Sequence, residues 1–364
     1  MSLFVLMAGG TGGHLFPAMS LAQELRRRGH VVDLMTDHRV GSYGGDFPAR
    51  DIHVVPSATP SVRNPLKVLG AGLRITYGIG VAMGQLRAIG PDAVIGFGGY
   101  PVFPPFLAAA LLGIPGLLHE QNAVMGRANR ALARSARRIA LSYPKTLRAE
   151  AFAAKSVVTG NPIRDTVKAL AGTPFTATDG ELRLVVFGGS QGARALSDIV
   201  PAAVALLPAE LRARLRIVQQ ARQEDLDRVA EVYRQAKVNV ELATFFADLP
   251  EHLVRAHLVI CRSGASSISD LTAIGRPAIL VPLPGSLDAD QKNNALFLEA
   301  AGGGWIEAQA TLSPPSLATR LTSLFSEPEL LRRAASAALS LGQPDAVQRL
   351  ADEAEGLVAR GTRP

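Results

Sequence analysis

LFVLMAGGTGGH at residues 3–14 and LRLVVFGGSQGAR at 182–194 are one arrangement written twice. Each is a continuous apolar run, then glycines, then the start of a helix-like stretch. An apolar run without alternation reads as a strand buried on both faces, and such strands form parallel sheets covered by helices. More runs of this kind follow at Val31–Thr36, Ala93–Phe97, Gly116–His119, Arg137–Leu141 and Ser156–Val158. The second half has Leu182–Phe187, Arg216–Gln219, Val238–Leu242, Leu258–Cys261 and Ala278–Val281. Helix-like stretches at Ala18–Arg28, Met125–Ser135, Ala193–Leu207 and Ser266–Ile274 lie between them. The alternation predicts the doubly wound α/β class, with one sheet in each half.

The chain has 364 residues, which favours two domains over one. The break is expected near Asn161-Pro162 or in AGTPFTATDG at 171–180, giving units 1–161 and 162–343. The tail from Pro344 to 364 carries Val347, Leu350, Ala354, Leu357 and Val358 at helical spacing. That stripe needs a surface, and a return to the first domain would supply one.

Composition narrows the function. A single cysteine, Cys261, excludes a disulfide framework and suits a reducing compartment. Leu3–Ala8 is too short for a secretory signal and runs into glycines rather than a cleavage-type site. Pro101–Leu118 is the most apolar long stretch, but its prolines leave only a short helix between Phe106 and Leu112. It reads as a buried helix rather than a membrane span. Residues 1–160 carry 17 Lys+Arg against 8 Asp+Glu, whereas the remainder carries 21 against 23. A basic first half seeks an anionic partner, or is only a solubilising face.

Glycines at a strand end let a backbone approach an anion, and the N–H groups of the next helix attract its charge. Four places have this form: Gly9–Gly13, Gly98–Tyr100, Gly188–Gly192 and Ser263–Ser267. Gly13 is followed by His14 rather than Lys, so a Walker A loop fails. The G-x-G-x-x-G spacing fails at both 9–14 and 188–194. A phosphate ligand between two domains remains. Ser263, Ser266 and Ser267 would either cap a helix or bind phosphate oxygens. Asp270, one turn on, is placed to accept from ribose hydroxyls.

His14 stands at the mouth of the first loop, where a neutral imidazole can take a proton from a hydroxyl. His119-Glu120-Gln121-Asn122 follows a strand, at the end where α/β sites form. Glu120 would contact a substrate hydroxyl or pin the following loop. Asp288-Ala289-Asp290 has the D-x-D form that can hold a metal-bound nucleotide, but helix N-capping explains it as well. The sequence has no His/Cys ligand cluster, so no essential metal and no other cofactor is expected.

Taken in order, MAGGTGGHLFPAM, GFGGYP, LHEQN, TGNPIR, GGSQGAR, CRSGASSISD and DQKNNA resemble the bacterial MurG family over most of residues 3–300. Its members are N-acetylglucosaminyltransferases that convert lipid I to lipid II in peptidoglycan synthesis, serving cell shape and division. The resemblance implies the GT-B fold: two Rossmann-like domains around a cleft. The first would take the acceptor and the membrane, and the second would take UDP-GlcNAc.

It also implies roles for residues. His14 is the candidate base for the acceptor C4 hydroxyl. Arg164, Ser190, Gln191 and Gly192 would meet the donor diphosphate. Phe246 and Ala247 match a segment that contacts uracil. Ser263, Gly264 and Ala265 belong to the donor loop. Asp270 stands where the family has a ribose-binding glutamate, and Gln291 matches a glutamine that reads the sugar hydroxyls. Asp290 stands where His or Gln is common. Thr11, Gly12, Gly13 and Asn122 would also border the donor. Gly13, His14, Tyr100, Glu120, Asn122 and Asn129 would face the acceptor.

The expected partners are UDP-GlcNAc, lipid I, anionic lipid of the cytoplasmic membrane face, and proteins of cell-wall synthesis and division; nucleic acid is not among them. Residues 62–87, with Arg63, Lys67, Arg74 and Arg87 among aliphatics, read as a docking patch or as an internal helix with a basic rim. Two other readings compete. One is a different GT-B enzyme on UDP sugars, such as an epimerase or another lipid glycosyltransferase. The other is a non-catalytic nucleotide-binding membrane scaffold.

Overall fold

A computed structural model describes the chain except residues 10–11, 39–46, 58–64, 177–179, 190–191 and 362–364; side chains at 65–71, 287 and 360–361 are also left aside. Thr11, Ser190 and Gln191 therefore lie outside the described residues, as does Arg63. The chain forms two compact units, Met1–Arg164 with Asp345–Pro364, and Asp165–Pro344.

In the first unit the described strands are β1 (Leu3–Met7), β2 (Val31–Thr36), β3 (Ile52–Val54), β4 (Ala93–Gly96), β5 (Gly116–Glu120), β6 (Arg138–Leu141) and β7 (Ser156–Val158). All pair in parallel, in the order β3-β2-β1-β4-β5-β6-β7. The second unit has β8 (Leu182–Phe187), β9 (Leu215–Gln220), β10 (Asn239–Ala243), β11 (Leu258–Cys261), β12 (Ala278–Leu280) and β13 (Gly304–Ile306), also parallel, ordered β10-β9-β8-β11-β12-β13. The expected doubly wound class is therefore what forms. Strands β3 and β13 escape the sequence reading, whereas β7, an equally short edge strand, is read at Ser156–Val158.

In both sheets the order of strand addition reverses beside the first strand. The switch lies between β1 and β4 in one unit and between β8 and β11 in the other. Met7 pairs with Gly96, and Phe187 pairs with Cys261, so the two loops at each switch begin side by side. The four glycine-type loops are those four loops. Ligands of open α/β sheets bind at this position because loops diverging there open a crevice.

Strand β1 shows how the core forms. Phe4 and Leu6 face a cluster with Leu15, Leu21 and Leu25 of helix Gly12–Arg27, while Val5 and Met7 face Leu86, Val102 and Phe106 on the other side. The tail helix Ala346–Gly361 buries Leu350, Ala351, Ala354 and Leu357 in the first cluster. Arg28 fastens it through Asp352 (2.6 Å) and Glu355 (2.8 Å), and Arg138 through Glu353 (2.9 Å).

Two helix expectations need correction. The helix expected from Ala18 begins at Gly12 and runs through Pro17, so Gly12 and Gly13 form its first turn rather than a loop. Burial of Leu15 outweighs the poor propensity of glycine and the lost N–H of Pro17. The helix expected from Phe106 begins at Phe103, with Pro104 and Pro105 in its first turn, where a missing N–H costs nothing. Among the described residues no helix is long and apolar enough to cross a membrane.

Candidate active site

In the first unit, loops after β1, β4 and β5 bring His14, Gly98, Gly99, His119, Glu120, Gln121, Asn122 and Asn129 together. His14 projects from the first helical turn, its Nδ1 3.3 Å from Gln121 Oε1. Gly98 and Gly99 have φ of 80° and 78°, which glycine adopts without strain. They thread between two side chains: a Cβ on Gly98 would lie 3.2 Å from Asn129 Nδ2, and one on Gly99 3.3 Å from His14 Cδ2. Tyr100 opens the short helical turn Tyr100–Val102 immediately afterwards, half-buried.

Glu120 is 2% exposed. Its carboxylate accepts from Asn122 N (3.0 Å), Asn122 Nδ2 (3.3 Å), Gly126 N (2.9 Å) and Asn129 Nδ2 (2.8 Å). Burial pushes its pKa upward, and the four donors pull against that. These contacts pin the loop 121–126. Asn129 also donates to His119 O (3.1 Å), while its Oδ1 is buried with no hydrogen-bond partner. A buried acceptor left unmatched beside the glycine turn suits a site that a ligand completes.

The His119 ring is wholly buried. Its Nε2 lies 3.0 Å from Gly160 O, and burial pushes its pKa down to about 4. An unfolded histidine titrates near 6.5, so on acidification the unfolded chain takes up a proton that the folded chain refuses. Stability from this group is complete above about pH 6.5 and is lost progressively as pH falls from there to about 4. At pH 5 the first unit should be about 2 kcal/mol less stable than at pH 7.5 on this account. Opening free energies from amide exchange, corrected for intrinsic rates, measure this; equal values at the two pH values would refute it.

In the second unit, Gly188 allows a close approach that no other residue could: a Cβ there would lie 2.4 Å from Ala193 N. Gly192 turns the chain into helix Arg194–Ala205, whose start carries no side-chain cap. Helix Ala265–Ile274 is likewise uncapped, with Gly264 at its N-cap. Ser263 does not cap this helix. It is fully buried and donates to Gln291 O at 2.8 Å, while Asn294 Nδ2 reaches Ser263 O at 3.1 Å. The CRSGASSISD and DQKNNA motifs are therefore stitched together. Gln291 Oε1 accepts from Leu283 N (2.9 Å).

Asp290 opens helix Asp290–Ala300 and accepts the Gln291 N–H at 2.7 Å, but the N-cap is Ala289 and no side chain caps this helix, so the N-capping expected of the D-x-D pair does not form. Asp270 is 8% exposed in the second turn of its helix. Phe246 turns inward onto His252, ring centroids 5.4 Å apart, whereas Ala247 and Phe245 are exposed. Arg164 ends the first stretch of the first unit, its guanidinium 5.6 Å from the Phe16 ring. Among the described residues no group of three or more His, Cys, Asp or Glu is placed to hold a metal ion. The sequence places Gln121 in a candidate set and Gly99 in a glycine loop without giving either a role of its own, and it singles out no role for Asn294 of DQKNNA.

Two sheets with glycine loops at both switch points define a two-unit α/β ligand-binding scaffold, and the family models make it a glycosyltransferase. The Glycosyltransferase family 28 N-terminal domain matches residues 4–141, and the family 28 C-terminal domain matches 183–350. The chain is 53% identical over 354 residues to the UDP-N-acetylglucosamine--N-acetylmuramyl-(pentapeptide) pyrophosphoryl-undecaprenol N-acetylglucosamine transferase of Methylobacterium nodulans, covering 96% of this chain and 95% of that one. The crystal structure of Acinetobacter baumannii MurG superposes with a TM-score of 0.78 at 32% identity, covering 97% and 99%. This chain belongs to the MurG family of glycosyltransferases. A putative UDP-N-acetylglucosamine 2-epimerase from Listeria monocytogenes shares the fold alone, at TM-score 0.65, 15% identity and coverage of 96% and 94%. The fold therefore does not choose between transfer and epimerisation; the sequence does.

Proposed function

We infer that this chain moves N-acetylglucosamine from UDP-GlcNAc to the C4 hydroxyl of lipid I, with inversion, giving lipid II and UDP. The observation that carries this reading is the 53% identity, over nearly the whole of both chains, to a relative of that name. In the reaction the C4 oxygen bonds to the anomeric carbon as the bond to the diphosphate oxygen breaks. UDP leaves with that electron pair, and the hydroxyl proton passes to His14. The uncapped helix starts at Arg194 and Ala265, with Ser190, Gln191, Gly192, Ser266 and Arg164, supply N–H groups, hydroxyls and positive charge for the departing diphosphate. Asp270 would hold the ribose, and Gln291 the sugar. Tyr100, Asn122 and Asn129 would border the acceptor. No metal or other cofactor takes part in the proposal.

Incubation with UDP-GlcNAc and a lipid I analogue tests the reading. The expected result is UDP release that requires the analogue and matches disaccharide formed. Release without the analogue would favour hydrolysis or epimerisation, and UDP binding without turnover would favour a scaffold.

The acceptor is a polyprenyl lipid, so the working place would be the cytoplasmic membrane face. Helix Pro65–Ile89 packs Ala82 and Leu86 into the first unit and exposes Leu73 (67%) and Tyr77 (66%) beside the exposed Arg74. With the basic balance of residues 1–160, this supports docking on anionic headgroups. Binding to vesicles containing anionic lipid should weaken several-fold between about 50 and 300 mM salt. Salt-independent binding in a sedimentation assay would point to a purely apolar contact.

A further inference from the structure

We propose that Gln121 and His119 hold the His14 ring in the tautomer protonated at Nδ1, leaving Nε2 as the proton-accepting atom, and so act as positioning residues for the transfer. The proposal rests on the reading of His14 as the base.

The argument runs from fixed acceptors outward. Gly160 O, 3.0 Å from His119 Nε2, is a carbonyl and can only accept, so His119 carries its proton on Nε2. Burial keeps that ring neutral at physiological pH, so His119 Nδ1 presents a lone pair. One end of the Gln121 amide lies 2.9 Å from Phe97 O, 3.1 Å from His119 Nδ1 and 3.3 Å from His119 O. All three of those atoms accept, so that end is the NH2 group.

The other end is then the oxygen, and it faces His14 Nδ1 at 3.3 Å. An amide oxygen only accepts, so Nδ1 must donate. A neutral imidazole has one proton, and placing it on Nδ1 fixes the lone pair on Nε2. Gln121 is 1% exposed, so solvent does not compete for either end of its amide. A second observation agrees. A Cβ on Gly99 would lie 3.4 Å from Nε2 and 3.3 Å from Cδ2, so glycine at 99 keeps a side chain off the ring edge that would meet the hydroxyl.

The first test needs no activity. Two-bond proton–nitrogen correlation spectra of the full chain labelled with 15N-histidine report each tautomer, and loss of a signal in His14→Ala assigns it. At pH 7.5 the expected result is His14 protonated at Nδ1 and His119 at Nε2; His14 protonated at Nε2 would overturn the proposal. The second test is Gln121→Met, which keeps length and loses both hydrogen-bonding ends. Its kcat should fall about 100-fold or more, as when a catalytic histidine loses its tautomer in other enzymes, while the acceptor KM and UDP-GlcNAc affinity stay within about threefold. Wild-type kcat in that variant would sink the proposal.

If Gln121→Met does not fold, the wild-type spectrum decides alone. The two readings fail differently. An active His14→Ala removes the base, whereas an inactive His14→Ala beside an active Gln121→Met keeps the base and removes the positioning role.

Discussion

His14→Ala should lower kcat by about 10²–10⁴-fold, the usual worth of a positioned general base, and leave UDP-GlcNAc affinity within about twofold. The division follows from where the residue sits. His14 lies in the first unit, on the first turn after β1, among the residues assigned to the acceptor. The residues proposed for the donor, Gly264, Asp270 and Gln291, belong to the second unit. Losing the imidazole removes a proton acceptor needed only as the C4 hydroxyl attacks, so binding of the ground-state donor is untouched. Steady-state kinetics with a lipid I analogue, beside titration calorimetry with UDP-GlcNAc, separates the two effects. Wild-type turnover would remove His14 from the mechanism, and lost donor affinity would move it to the other substrate.

Arg276→Met should destabilise the second unit by about 3–5 kcal/mol. Arg276 is 1% exposed, and its guanidinium donates to the carbonyls of Leu253, Val254, Thr173, Pro174, Ile274 and Gly275. Leu253 and Val254 end helix Leu249–Arg255, while Ile274 and Gly275 end helix Ala265–Ile274. One cation thus closes two helix C-termini, whose carbonyls carry partial negative charge, and ties both to the strand-free segment at Thr173-Pro174.

The ring of Phe175 adds a face 5.8 Å away. Burial lowers the pKa only to about 10, so the charge persists at neutral pH. Methionine fills the volume and leaves the carbonyls unmatched. The single tryptophan, Trp305 on β13, lies in the second unit, so its fluorescence in a urea titration reports that unit alone. A loss under about 1 kcal/mol would show that water or backbone shifts replace the guanidinium.

The strands most easily read from sequence were central ones. Val31–Thr36, Leu182–Phe187 and Leu258–Cys261 match the observed bounds, as does the edge strand Ser156–Val158, because mostly apolar runs between turn signals read as strands. Boundaries failed where local preference met tertiary packing. Gly12, Gly13 and Pro17 look like the end of a loop, yet Leu15 must reach the core, and the helix extends to carry it there. His14 is a candidate in the sequence because motif and chemistry coincide there. Gln121 is legible as one of four polar groups at a strand end, but its role is not, since an amide has no chemistry of its own until its two ends have partners.

Sequence alone determined the class of this protein. Repeated strand–glycine–helix units specify doubly wound parallel sheets, because apolar strands alternating with helices are covered on both faces by those helices. The ordered set of motifs specifies the family. What only the tertiary structure decided is the pairing of parts distant in the chain. The tail helix closes the first unit because Leu350, Ala354 and Leu357 find an apolar face beside β1. Ser263 became a stitch to Gln291 rather than a cap. The carbonyl of Gly160 comes to dictate, through His119 and Gln121, which nitrogen of His14 bears the proton. Hydrogen-bond direction depends on which acceptor stands opposite which donor, and that is settled only when strands far apart in sequence lie side by side.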